Sequence, residues 1–315
     1  MLLALQVISP LIFIIFLGYL IFRFKILDNL SLTTLNKFVF LIAAPALLFR
    51  NTAITEFPDI FPWSLWSSYF LGMTITAGLG MLVGLNKTLN NKSSSAVIKG
   101  FGSSFSNTVM LGIPVVLTAF GEEAGIPLFL ILALHGLISF SLASLFLEIT
   151  TKNNNAPKET ALAVMKSISG LPVVIALASG LLWNITNLPL PGFADKFLEL
   201  LGGVAIPLAL FGIGGSLTQV KLSGSISSAV LISALKLLIH PVLVFILANY
   251  VFKLPGLWVA TATVLASMPT GIFVSVFADR YEVEEDLSSS VIMISTLAGG
   301  ISISIWLAFF NDYLI

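Results

Sequence analysis

Residues 104–114 read S-F-S-N-T-V-M-L-G-I-P, and residues 266–271 read A-S-M-P-T-G. Each lies inside an otherwise apolar run long enough to be a membrane helix. Proline lacks a backbone donor and its ring clashes with the preceding turn, while glycine and small polar residues ease unwinding. Spans interrupted at Asn107, Thr108, Gly112 and Pro114, and again at Ser267, Pro269, Thr270 and Gly271, would leave backbone groups unpaired at bilayer depth. Such backbone is tolerated only where protein buries it or where it lines a cavity. The interruptions hold matching places: Asn107 follows Pro45 by 62 residues, and Pro269 follows Pro207 by 62. Broken helices at corresponding positions of two halves point to a transport site.

The correspondence extends further. Adding 162 to Pro10, Gly18 and Pro45 gives Pro172, Gly180 and Pro207. The expected organisation is a first five-helix repeat over 1–150, a cytoplasmic linker over 151–160 and a second five-helix repeat over 161–315. Pro45 and Pro207, which match across the repeat, are expected to shape the cavity wall facing the interruptions.

The composition fits only a bilayer. Of 315 residues, 57% are apolar and 10% charged, with a mean hydropathy of +1.04, whereas a soluble domain carries about 25% charged residues. A spanning helix takes about 20 residues. The apolar runs predict ten spans, near 2–22, 32–49, 63–85, 97–120, 124–149, 161–184, 197–218, 226–252, 256–278 and 287–310. The runs do not alternate as barrel strands do. The fold class is thus all-α integral membrane, with ten helices as two inverted five-helix repeats and with helices 4 and 9 broken and crossing. With no cysteine, disulfides and thiolate chemistry are excluded. No basic tract suggests nucleic acid. The first run leads into Arg23 and Lys25 without a small-residue cleavage site, so it reads as a span rather than a removable leader.

Lys and Arg set the orientation. Odd-numbered loops hold Arg23, Lys25, Lys87, Lys92, Lys152, Lys158, Lys221 and Arg280; even-numbered loops and termini hold Arg50, Lys196 and Lys253. This imbalance places the odd loops in the cytoplasm and both termini outside the cell membrane. The acidic run 282–286 reads as a solvated cytoplasmic loop.

Ionisable residues inside spans are functional hypotheses by default. Lys236 and His240 are one helical turn apart and share a face; they either serve an anionic substrate or a proton, or Lys236 snorkels to an interface. His135 reads as a proton relay or a hydrogen-bonded structural histidine. Interfacial anchoring accounts for Lys37, Lys99 and Glu148. The glycines of the third span (Gly72, Gly78, Gly80, Gly84) and of the seventh (Gly202, Gly203, Gly212, Gly214, Gly215) read as helix-packing contacts.

The stretches S-N-T-V-M-L-G-I-P-V-V-L-T-A-F-G (106–121), L-G-G-V-A-I-P-L-A-L-F-G-I-G-G-S-L (201–217) and M-P-T-G-I-F-V-S-V-F-A-D-R-Y (268–281) resemble the fourth-, seventh- and ninth-helix motifs of the auxin efflux carrier family. That family includes plant auxin carriers and bacterial malate and malonate permeases. The resemblance covers essentially the whole chain. It implies five-plus-five helices, a scaffold part and a transport part, an elevator-like alternation of access and a homodimer. The chain departs from the plant pattern at Ser106, where plant carriers place proline, and in its short central linker.

A crossing of two broken helices offers N–H groups that attract anions and carbonyls that suit Na⁺ or a proton-bearing group. Asn107 both donates and accepts, and Thr108, Ser267 and Thr270 add hydroxyls. The expected function is a secondary transporter of a small organic anion, a carboxylate, with no cofactor and with coupling to Na⁺, H⁺ or neither left open. The alternative is a sodium-coupled symporter of the bile-acid-transporter type, which would need several carboxylate or amide side chains at the crossing. Hydrolase and zinc-protease motifs are absent, so the chain does not read as an enzyme. Because the chain is cysteine-free, a single cysteine at position 155 should escape an impermeant thiol reagent in intact cells. Strong labelling there would overturn the orientation.

Overall fold

The computed structural model describes residues 2–55, 62–84, 93–151, 170, 172–219 and 225–313, with only the backbone given for 2–8 and 312. The linker beyond Thr151, the start of the sixth run before Pro172 (Gly170 apart), and Lys87, Lys92, Lys152, Lys158 and Lys221 lie outside the described residues. Among the described residues, each expected span coincides with helix in one or two segments. The first is α1 (Leu2–Arg23). The second is α2 (Asn29–Phe38) and α3 (Ala44–Ile54), and the third is α4 (Trp63–Gly84). The fourth divides into α5 (Ser93–Ser104) and α6 (Ile113–Phe120). The fifth and sixth are α7 (Gly125–Thr151) and α8 (Pro172–Ile185). The seventh divides into α9 (Gly192–Gly203) and α10 (Ala205–Leu217), and the eighth into α11 (Ile226–Ala234) and α12 (His240–Ile246). The ninth divides into α13 (Gly256–Ser267) and α14 (Phe273–Tyr281), and the last is α15 (Glu285–Tyr313). Among the described residues, six helical stretches are long and apolar enough to cross a bilayer, and four shorter apolar helices accompany them. The architecture is that of a helical, multi-pass membrane protein.

Proline explains most of the irregularities. The π turns Val39–Ala43, Thr108–Gly112 and Leu235–Ile239 stand directly before Ala44-Pro45, Ile113-Pro114 and His240-Pro241. In each, the N–H of the residue before proline reaches back five residues, to the carbonyls of Val39, Thr108 and Leu235. The widened turn makes room for a ring that would strike the carbonyl four residues back. Pro207 acts differently. It cannot donate to Gly203, and the chain leaves the helix at Val204 (φ −83°, ψ −11°). The seventh span, expected as one run from 197, is therefore interrupted; it also starts earlier, at Gly192, directly after Pro191.

Glycines bring four spans to backbone contact. A Cβ on Gly18 in α1 would overlap the carbonyl of Phe211 in α10, and one on Gly180 in α8 would lie 2.8 Å from the carbonyl oxygen of Phe49 in α3. Phe49 and Phe211 are themselves separated by 162 residues, so the shift that carries Gly18 to Gly180 exchanges the two contacts. Of the glycines expected to pack, Gly78 and Gly203 face open space; the packing reading fails at those two. Gly18→Ala and Gly180→Ala should each lower stability by about 1–3 kcal/mol, the usual cost of overpacking, in thermal unfolding of the detergent-solubilised protein. Gly78→Ala should not. Equal melting temperatures for all three would contradict these contacts.

Candidate functional site

The interruptions of the fourth and ninth spans lie against each other. Ser106 and Thr270 form an antiparallel bridge. The Asn107 N–H donates to the Pro269 carbonyl at 2.8 Å, and the Gly271 N–H donates to the Phe105 carbonyl at 3.1 Å. Met268, just before proline, is extended (φ −60°, ψ 148°), as that position favours. Side chains complete the pairing: Thr270 Oγ1 donates to the Gly102 carbonyl at 2.8 Å, and the Thr270 N–H donates to Ser295 Oγ at 3.1 Å. Ser106, Thr108, Ser267 and Thr270 are all buried. Backbone that would be costly in a bilayer is satisfied by its opposite number.

The close approach requires glycine. A Cβ on Gly271 would lie 2.5 Å from the Phe105 ring, and one on Gly112 would lie 2.7 Å from Leu265. The fourth interruption is also narrower than expected. Thr108–Gly112 is already helical, as a π turn, and the chain is non-helical only between α5 and Thr108. Pro114 needs the wide turn, not an unwound one.

Two cavities flank Asn107. The first is lined by Asn107 and Thr270 together with Asn36, Ser216, Thr296 and Met293. The second is lined by Asn107, Thr108 and Val109 at the start of one resumed helix, by Gly271 and Phe273 at the start of the other, and by His135. Asn36, Ser216 and Thr296 were missed because they stand 80 and more residues apart in the sequence and outside the two interruptions, so that only the packing of the spans brings them to one cavity. Pro269 borders a third cavity, beside Gly299 and Gly300. Ser267 turns away and donates to the Val264 carbonyl at 2.8 Å. Gly112, Pro114, Pro45 and Pro207 do not line the two cavities beside Asn107; residues close to the last two, Ala44 and Ala209, do.

Lys236 does not snorkel. It is fully buried, its Nζ donates to the Ala266 carbonyl at 2.5 Å, and it lies 3.1 Å from His240 Nδ1. Ala266 belongs to the last turn of α13, where a cation favours the helix dipole and the freed carbonyls. His135 is also buried, with Nε2 3.2 Å from the Ser106 carbonyl and its ring stacked on Phe105 at 4.8 Å.

Two interfacial assignments are corrected. Lys99 is buried, and its Nζ lies 3.4 Å from a Glu284 carboxylate oxygen that also accepts from Ser95 Oγ at 2.5 Å. Glu148 is buried and accepts from the Tyr281 hydroxyl at 3.2 Å. Hydropathy places such residues near a span end; it does not reveal that a partner waits there. The acidic run 282–286 is accordingly not wholly solvated, since Glu284 fastens it to α5.

The chain matches the family described as membrane transport protein over residues 3–307. It is 28% identical to a putative malonate transporter of Rhizobium meliloti (strain 1021), over 91% of this chain and 90% of that one. It is 26% identical to an uncharacterized transporter of Methanothermobacter thermautotrophicus, over 93% and 94% of the two chains. Its identity to auxin efflux carrier component 8 of Arabidopsis thaliana is 21%, over 89% and 90%. The helical architecture and the full-length match agree: the chain belongs to the membrane transport protein family, that of the auxin efflux carriers, and is a transporter rather than an enzyme.

Proposed function

We propose that this protein is a secondary transporter that carries a small carboxylate across the cell membrane by alternating access, binding it beside Asn107 where the two interrupted spans meet. The observation that carries this reading is the second cavity, which both resumed helices enter at their first residues. First-turn N–H groups have no partner within their own helix, and the dipole is positive at that end. Two such ends on one cavity, with an amide that can donate from its side chain, favour an anion over a cation or a sugar.

The ten spans form two inverted five-helix repeats in this reading. Support comes from the exchanged pairs Gly18–Phe211 and Gly180–Phe49 and from the mutual pairing of the fourth- and ninth-span interruptions. Alternation then moves Asn107 between the cavities on its two sides. Pro45 and Pro207 act through their neighbours, by setting the helix path that brings Ala44 and Ala209 to the cavity walls. Both termini lie outside the cell, and the protein assembles as a homodimer.

Similarity to a putative malonate transporter makes malonate the first probe. Asn107→Ala removes a donor and an acceptor from the anion. The loss of a hydrogen bond to a charged partner is about 1.5–3 kcal/mol, roughly a ten- to hundred-fold loss of affinity, read by calorimetry on purified protein. Thr118→Ala, at an exposed position further along α6, should change little. Binding as tight as wild type in a folded Asn107→Ala protein would remove Asn107 from the site. Malonate affinity that depends steeply on Na⁺ would favour the bile-acid-type symporter instead.

A further inference from the structure

The cavity that both resumed helices enter is also bordered by a hydrogen-bond acceptor that the rest of the protein leaves unused. His135 lines it and is otherwise buried. Its Nε2 lies 3.2 Å from the Ser106 carbonyl. A carbonyl only accepts, so Nε2 carries the proton of the neutral ring, and Nδ1 is left with a lone pair. Among the described residues, Nδ1 has no hydrogen-bond partner. Stacking on Phe105, with the ring planes 8° apart, holds the imidazole in this orientation.

The charge on the walls is small. Among the described residues, no Lys, Arg, Asp or Glu lines either cavity beside Asn107, and His135 is the one titratable side chain that does. The titratable groups around His135 are Tyr69 of α4, with its ring centroid 5.6 Å away, and beyond that ring His240 and Lys236 of the eighth span; none of the three lines either cavity. The two helix N-termini supply about half a positive charge each. Together they match one carboxylate and not two. A second carboxylate, which can only accept, would meet the lone pair of His135, whereas a carboxylic acid would donate to it.

We infer that the site takes a dicarboxylate as its hydrogen monoanion, with the ionised carboxylate against Asn107 and the helix N-termini and the protonated carboxyl donating its O–H to His135 Nδ1. The inference rests on the carboxylate reading above and deepens it: it gives the charge state of the substrate and makes His135 a specificity-determining residue. The proton is acquired in solution. A buffer acid gives it to the dicarboxylate dianion, which leaves the buffer base and the hydrogen monoanion, and the O–H bond so formed stays intact in the site. No proton passes through the protein. Each substrate carries its own.

Calorimetry on the full-length protein tests this with three ligands of similar size: malonate, malonamate (an amide in place of one carboxylate) and monomethyl malonate (an ester in its place). Between about pH 7 and 9 carboxylates in solution are ionised. There malonate should bind with uptake of about one proton, read from buffers of different ionisation enthalpy, and weaken by up to about tenfold per pH unit. Malonamate is already a monoanion with a donor, so it should bind without proton uptake and with a level affinity. Monomethyl malonate lacks the donor and should bind about two- to tenfold more weakly than malonamate. His135→Phe keeps a ring on Phe105 and removes the acceptor, which should erase that difference. Malonate bound without proton uptake, malonamate bound with it, or malonamate failing where malonate binds would each overturn this inference alone. So would a folded His135→Phe protein that still prefers malonamate; should that variant not fold, the wild-type comparison decides. No binding of any of the three at any pH overturns the carboxylate reading, and this inference with it.

Discussion

Two backbone hydrogen bonds hold the centre of this molecule together: Asn107 N–H to the Pro269 carbonyl and Gly271 N–H to the Phe105 carbonyl. A helix interrupted alone in a bilayer would leave several peptide groups unpaired, at several kcal/mol each. Two helices interrupted at one depth can pair their loose ends, as strands do. The rest of the core is arranged to permit that meeting. Gly271 and Gly112 lack the side chains that would keep the segments apart. Thr270 and Ser295 take up backbone groups the exchange leaves over, and Lys236 caps the α13 carbonyl that the break exposes.

The resulting centre is chemically lopsided. The helices entering the meeting point, α5 and α13, end there and present carbonyls, which a lysine and a histidine already engage. The helices leaving it begin there, and their first residues line a cavity. Side-chain N–H donors and carbonyl ends therefore satisfy each other on one side, and in the proposed reading the helix N-termini serve the ligand on the other. That division follows from chain direction alone, and it is why the two interruptions need not contain a charged residue.

How much of this was legible beforehand depended on the kind of signal. The interruptions were legible because proline and glycine carry a backbone consequence wherever they stand, and the 162-residue spacing because those residues are rare enough to align. The π turns before Pro45, Pro114 and Pro241 were not, since a proline says that the helix must yield but not whether it widens or breaks; Pro207 does the latter. Partnership was the least legible property. Lys99 and Glu148 looked like interfacial residues because hydropathy reports depth, whereas Glu284 and Tyr281 reach them only through tertiary packing. The same holds for Asn36, Ser216 and Thr296, three polar residues from distant spans that converge on one cavity.

The position of the anion relative to the meeting point is the most direct test. An experimentally determined structure with malonate bound should show a carboxylate within hydrogen-bond distance of the Asn107 side chain and of first-turn N–H groups of the two helices that begin there. Malonate seated elsewhere, with the Asn107 amide and those N–H groups untouched, would contradict the central claim.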